Sequence, residues 1–257
     1  MRKKVYHLNL GKSQLRNSKI ALLPGDPFRV LKIAKLVKKH FGGDIEELAW
    51  KREFKTMLCN TSIKPVLVTS TGIGGPSTSI VIEELAMLGI KTFVRVGTTG
   101  AIQKRIKPGD VIITTGAVRL DGASTHYAPI EYPAVADYKV VDFLTKAADK
   151  SNVRYHVGIT ASSDTFYPGQ ERYDSFTGYV LRRLQGSMKE LQRLNVLNYE
   201  MESSTLLTLC SAMGLRGGSV SGVIVNRTVS ENIKEESLKI GEDNAIKVAV
   251  ASLEYLL

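Results

Sequence analysis

Arg95 sits inside Thr92-Phe93-Val94-Arg95-Val96, a β-branched and aromatic run that predicts a buried strand over residues 92–96. An unpaired guanidinium is very costly to bury, so Arg95 requires either an anion or a structural carboxylate. Gly97-Thr98-Thr99-Gly100 follows at once and reads as a loop whose backbone N–H groups and two hydroxyls suit an oxyanion. A plain turn beside an arginine–carboxylate pair would use the same residues. Arginine and loop together favour phosphate. Gly25-Asp26-Pro27-Phe28-Arg29 is a second anion candidate, because a tight turn into a helix start presents free N–H groups and a favourable dipole. Arg29 opposes that dipole unless an anion offsets it.

Three further stretches carry chemistry. Ser162-Ser-Asp-Thr-Phe-Tyr-Pro-Gly-Gln-Glu-Arg172 is polar and aromatic and follows a strand-like segment. Within it Phe166 could stack on a flat ring, Gln170 offers a donor and an acceptor, and Arg172 is a fixed fork of donors. The trio suits the edge of an amide-bearing heterocycle such as a pyrimidine; a surface loop of ordinary turn residues has the same composition. Tyr199-Glu200-Met201-Glu202 stands between a strand and an apolar helix. Its carboxylates fit a vicinal diol, such as the hydroxyls of a ribose, and equally fit a helix N-terminus. Val223-Ile224-Val225-Asn226-Arg227 ends an apolar strand on another arginine.

Other chemistries find no support. Ser70-Thr-Gly-Ile-Gly-Gly-Pro-Ser77 has the look of a dinucleotide-binding turn, but Ser77 replaces the third glycine, Pro76 intervenes and no acid ends the next strand. No Gly-Lys-Ser/Thr phosphate loop, HExxH or paired metal carboxylates occur, and local spacing suggests no Ser/His/Asp set. Arginines, an aromatic, an amide and carboxylates suit positioning and charge stabilisation rather than a covalent nucleophile.

These residues need a frame, and the sequence alternates strand-like with helix-like segments. Strands are expected at 20–23, 65–70, 92–96, 110–118, 156–161, 196–199 and 218–225, and helices at 28–40, 76–88, 140–150, 179–194, 203–213 and 241–257. That alternation predicts an α/β fold with a largely parallel sheet covered by helices, as one domain over residues 1–257, with ligands gathering at the C-terminal ends of strands. The 257 residues hold 43% hydrophobic and 23% charged residues, which excludes a disordered chain. Two cysteines, Cys59 and Cys210, make no disulfide framework or zinc site, and no apolar run approaches a membrane span; the expectation is a cytoplasmic protein. The net charge of +10 raises nucleic acid as a partner. Lys32, Lys35, Lys38 and Lys39 instead read as a solvated helix face, with no aromatics interleaved as a single-strand-binding surface would have.

The motifs resemble a known family. Leu23-Pro-Gly-Asp-Pro, Ser70-Thr-Gly-Ile-Gly-Gly-Pro-Ser-Thr-Ser, Val96-Gly-Thr-Thr-Gly-Ala-Ile, Arg119-Leu-Asp-Gly-Ala-Ser, Ser162 to Tyr173, Asn198-Tyr-Glu-Met-Glu-Ser and Gly222-Val-Ile-Val-Asn-Arg-Thr stand in the order seen in the nucleoside phosphorylase-I superfamily, and resemble its bacterial uridine-cleaving branch. The resemblance covers nearly the whole chain and is weakest at residues 41–48 and after Ser230. It implies a mixed, partly barrel-like central sheet and reversible phosphorolysis of uridine to uracil and ribose 1-phosphate, with inorganic phosphate as co-substrate and no organic cofactor.

By the same resemblance phosphate falls on Gly25, Arg29, Arg95 and Thr98, with Arg52 from a neighbouring subunit. Ribose meets Glu200, Met201 and Glu202, with Thr98 beside it and His7 reaching over from the neighbour. Uracil lies against Phe166 and bonds Gln170 and Arg172, while Arg227, Ile224 and Val225 close the pocket. The catalytic set implied is Arg95, Gln170, Arg172 and Glu202. Members assemble as hexamers, trimers of dimers with shared sites, and in some a monovalent cation (K+) lies at the dimer interface, matching Glu53, Ile73 and Ser77 here. Purine-cleaving relatives carry an aspartate after the last strand, where this chain reads Asn226-Arg227-Thr228, and they lack the Gln170–Arg172 pair. Hydrolytic relatives need fewer arginines.

Overall fold

Strand segments with no polar alternation become strands buried on both faces. The computed structural model describes residues 4–257. In β1 (Ile20–Pro24) and β4 (Val66–Thr69), Ile20, Leu22, Val66 and Val68 point into one core and Ala21, Leu23 and Leu67 into the other. The first core is closed by helices α1 (Pro27–Phe41), α3 (Tyr138–Lys150) and α6 (Glu235–Ala251). The second is closed by α2 (Gly75–Leu88) and α5 (Ser203–Ala212). α1 starts where Asp26 accepts from the Phe28 N–H at 2.8 Å and Pro27 takes the first turn.

The remaining strands are β2 (Asp44–Lys51), β3 (Phe54–Asn60), β5 (Thr92–Ala101), β6 (Val111–Leu120), β7 (Ala134–Val135), β8 (Tyr155–Ser163), β9 (Asn198–Glu200) and β10 (Arg216–Asn226). β5 pairs with β10, β10 with β6, β6 with β8, β8 with β9, and β9 returns to β5. This ring is a small closed barrel. From β5 the sheet also continues outward through β1, β4, β3 and β2. The centre, β4-β1-β5-β10, is parallel, whereas β2, β3 and β4 pair antiparallel in turn, β6 is antiparallel to β10, and β9 is antiparallel to β5 but parallel to β8. The mixed, partly barrel-like sheet under helices is the fold the motifs implied.

Three expectations need correction. Residues 97–100 are not a loop: they continue β5, with Gly97 to Gly100 in register with Ser221 to Val225 of β10. Residues 179–194 do not form one helix. Gly186 adopts φ +85° and only the short α4 (Ser187–Arg193) follows, because the preceding residues are largely exposed and have no core to pack on. The tail helix starts at Glu235, ahead of 241, and gives way at Ser252 to the short α7 (Leu253–Leu256). The β2–β3 hairpin has no clear sequence signal, since β2 is acidic and none of its residues is buried.

Two close contacts fix elements that border the site. Gly222 of β10 faces Gly241 of α6 so closely that a Cβ on Gly222 would lie 1.8 Å from the Gly241 carbonyl oxygen. Beyond β6, the buried Asp121 carboxylate accepts from Ser124 N (2.7 Å), Ser124 Oγ (2.9 Å), Ser204 Oγ (2.5 Å) and Thr205 Oγ1 (2.7 Å), clamping the first turn of α5. Both cysteines are buried and free, and burial pushes the Cys59 thiol up to about 12, so neither is a reactive thiolate. Among the described residues no helix is long and apolar enough to cross a membrane.

Burial alone would raise Asp121, but its hydrogen bonds outweigh that and hold it below the ordinary carboxylate value. The unfolded chain therefore binds the proton more readily, so this stabilisation is present at neutral pH and is lost as pH falls through the depressed folded value. Asp121→Asn is expected to cost about 2 kcal/mol at pH 7. In denaturant titrations the gap from the unaltered protein should narrow below about pH 4; a gap constant with pH would contradict it.

Candidate active site

The sheet forks at β5. β1 last pairs at Val96 and β9 first pairs at Gly100, so between them one edge of β5 carries no strand. A cavity of about 610 Å³ opens at this fork, at the C-terminal ends of β1, β5 and β10. Arg29 reaches it from the first turn of α1, Arg95 and Thr98 from β5, and Gly25 from the β1–α1 turn. Phe166, Gln170 and Arg172 line it from the segment after β8, Glu200, Met201 and Glu202 from the β9–α5 junction, and Ile224 and Val225 from β10. Gly25 and Val225, 200 positions apart, thus share one cleft.

Arg95 is held by two buried carboxylates. Its Nε donates to Glu200 Oε2 at 3.2 Å and its Nη2 to Glu202 Oε2, while Nη1 is buried without a protein partner. The guanidinium folds back over Gly97, where a Cβ would stand 3.3 Å from Nε and Nη2, so glycine makes room for it. Glu202 also accepts from the Gly74 N–H at 2.6 Å. This is the contribution of the glycine stretch 70–77: close backbone approach to a site acid. Burial raises Glu202, Arg95 opposes the rise, and the nearby Glu200 adds to it. Glu200 accepts from the Glu202 and Ser203 N–H groups at 3.0 Å, so for Glu200 the helix-terminus reading holds.

Arg29 donates to the Val96 carbonyl at 3.4 Å and lies 3.4 Å from Glu242 Oε2 of α6. Burial lowers its pKa, Glu242 counters, and the Arg95 charge lowers it further. Two guanidiniums in one cleft give that part of it a positive potential.

In the segment after β8, the Arg172 guanidinium lies 4.2 Å from the Phe166 ring centroid and donates through Nη1 to Glu231; its Nε is buried and unpartnered. Gln170 is buried, and its main-chain carbonyl accepts from Arg227 Nη2 at 2.9 Å. Arg227 also bonds Glu231 at 2.8 Å and does not itself line the cavity; it stands behind Gln170, correcting its expected place in the pocket wall. Burial and the Arg227 charge lower the pKa of Arg172, against the pull of Glu231.

His7 and Arg52 lie outside the cavity of their own chain. The His7 ring meets Glu84 at 2.9 Å, and Arg52 occupies the β2–β3 turn at φ +56°. Glu53, Ile73 and Ser77 cluster on the cavity rim, with Ser77 Oγ donating to Glu53 at 3.2 Å and Ile73 76% exposed. Glu231 and Glu242, the counter-ions of Arg172 and Arg29, went unnoticed in the sequence. The i,i+4 spacing of Arg227 and Glu231 was the available signal for the first; nothing local marks the second.

Comparison with known proteins agrees with this geometry. Residues 19–255 match the phosphorylase superfamily. The chain is 55% identical over 253 residues to a protein of Escherichia coli (strain K12) named uridine phosphorylase, covering 98% of both chains. It is 46% identical over 239 residues to a uridine phosphorylase of Thermococcus kodakarensis, covering 93% of this chain and 82% of that one. A guanosine phosphorylase of Halorubrum lacusprofundi is 34% identical over 244 residues, with 92% and 93% covered. With the family matched from residue 19 into the last helix and relatives alike over nearly their whole length, this chain belongs to the phosphorylase superfamily.

Proposed function

We propose that the protein catalyses the reversible phosphorolysis of uridine, giving uracil and ribose 1-phosphate, as a pentosyltransferase of pyrimidine nucleoside salvage. One observation carries the reading: Arg29 and Arg95, close enough for their charges to act on each other, line the same cavity as Gln170 and Arg172. Glu202 and Met201 lie on the same wall. An inorganic anion, a sugar and an amide-bearing base need those three environments in one line.

The charges dictate the mechanism. Phosphate is held by Arg29, Arg95, Thr98 and the Gly25 backbone, where Arg95 Nη1 is unspent. There it is both the nucleophile for C1′ and the counter-charge to an oxocarbenium-like transition state. Glu202 accepts from the ribose hydroxyls with the lone pairs that Arg95 and Gly74 leave free. Uracil departs with negative charge on its carbonyl oxygens and ring nitrogen. Arg172, with Nε free, and the Gln170 amide hold that charge, and Ile224 and Val225 exclude water.

His7 and Arg52, which miss their own cavity, complete that of a neighbour, in a homohexamer built from dimers. Glu53, Ser77 and the Ile73 backbone present oxygen donors together on the rim, and this fits a monovalent cation held where two subunits meet. A purine substrate is disfavoured because Asn226, which bonds the Gln103 and Ile106 carbonyls, stands after the last strand where purine-cleaving relatives carry an aspartate, and an amide cannot protonate a purine nitrogen.

Incubation with uridine should release uracil only when phosphate is present, followed by ultraviolet absorbance, and inosine should give far less product. No phosphate-dependent uracil would refute the reading. Arg172→Ala should lower kcat for uridine by about a hundredfold or more, roughly 3 kcal/mol, with little change in phosphate affinity. Unchanged turnover would remove Arg172 from the mechanism.

A further inference from the structure

We propose that Ser162 is a positioning residue for the phosphate nucleophile: through Glu200 it aims the free Nη1 of Arg95 into the cavity. The inference rests on the reading that Arg95 binds phosphate. Ser162 lies on β8 directly beside Glu200 of β9, is fully buried and does not line the cavity. Its Oγ donates to Glu200 Oε1 and accepts from the Ser204 N–H at 2.9 Å.

Among the described residues, Glu200 has no other side-chain donor besides Arg95. Its Oε2 takes Arg95 Nε at 3.2 Å and the Glu202 N–H at 3.0 Å, and the Ser203 N–H is shared between both oxygens at 3.0 Å. Without the Ser162 hydroxyl, Oε1 keeps only half of one shared N–H. The carboxylate is then free to turn about its last bond. Turning Glu200 releases Nε of Arg95 and leaves Glu202 as its only anchor. A guanidinium held at one corner pivots, and its unspent corner no longer points at a fixed place. Because serine is neutral, its loss changes orientation without changing the charge of the site, which separates aim from electrostatic attraction.

The test compares Ser162→Ala, Ser162→Cys and Ser204→Ala in the full-length protein. Ser204 Oγ bonds Asp121 at 2.5 Å on the far side of the same helix turn, and its side chain takes no part in aiming Arg95. Binding of inorganic phosphate is measured by calorimetry, and the KM values of phosphate and uridine by uracil release. Ser162→Ala should weaken phosphate by roughly ten- to a hundredfold, the range over which outer partners of a liganding group act, with the KM of uridine within about twofold. Ser162→Cys, with its weaker donor, should fall between, and it carries the test if the alanine variant does not fold. Ser204→Ala should lose stability yet bind phosphate as the unaltered protein does.

Phosphate affinity unchanged in both Ser162 variants, or an equal loss in Ser204→Ala, would overturn the positioning role while leaving uridine phosphorolysis standing. Failure of the unaltered protein to bind inorganic phosphate at all would overturn the phosphate reading and this inference with it.

Discussion

The governing constraint is that guanidiniums sharing one cleft are tolerable only if each is tethered by a carboxylate that leaves a donor free. Arg95 is tethered by Glu200 and Glu202, Arg29 by Glu242, and Arg172 by Glu231. Full neutralisation would leave no attraction for an anion, and no tether would expel the side chains into water. Partial pairing keeps the cations buried and hungry. Each acid arrives from a different element, so the site exists only when β9, α5, α6 and the segment after β10 are all in place.

Those elements converge because β5 serves two masters. It is a wall of the closed ring with β10 and β9, and also the first strand of the open sheet that runs to β2. A strand cannot pair on the same edge with both β1 and β9, so a gap of three residues remains between them. Thr98 sits in that gap and Arg95 just before it. The position of the cleft follows from strand pairing, before any side chain is considered.

This division explains what could be read from the sequence. Arg95 stood out because a charge inside a β-branched run has one structural explanation, a buried partner. Arg29, Gln170, Arg172 and Glu202 were legible through turn chemistry and motif order. Glu242 was not, since its meaning depends on α6 crossing α1, a contact 213 residues away in sequence from Arg29. Nor was Ser162, an ordinary strand serine until β9 places Glu200 beside it. The hairpin of β2 and β3 escaped because Asp44, Glu46 and Glu47 have poor strand propensity; docking of β3 on β4 makes the strand. Residues 179–194 have helical spacing without a surface to cover, and periodicity alone does not hold a helix.

The Gly222–Gly241 contact has a mechanical meaning. Two main chains that touch without intervening side chains have no cushion, so strand β10 and helix α6 translate as a single strut. Ile224 lies two residues beyond one end of that weld and Glu242 one residue beyond the other. A change that widens the hydrophobic wall would therefore drag the acid that steadies Arg29. The Phe166–Arg172 segment hangs from β8 with no such main-chain contact, so on the proposed function it is the part of the wall that can be remodelled without moving Glu242.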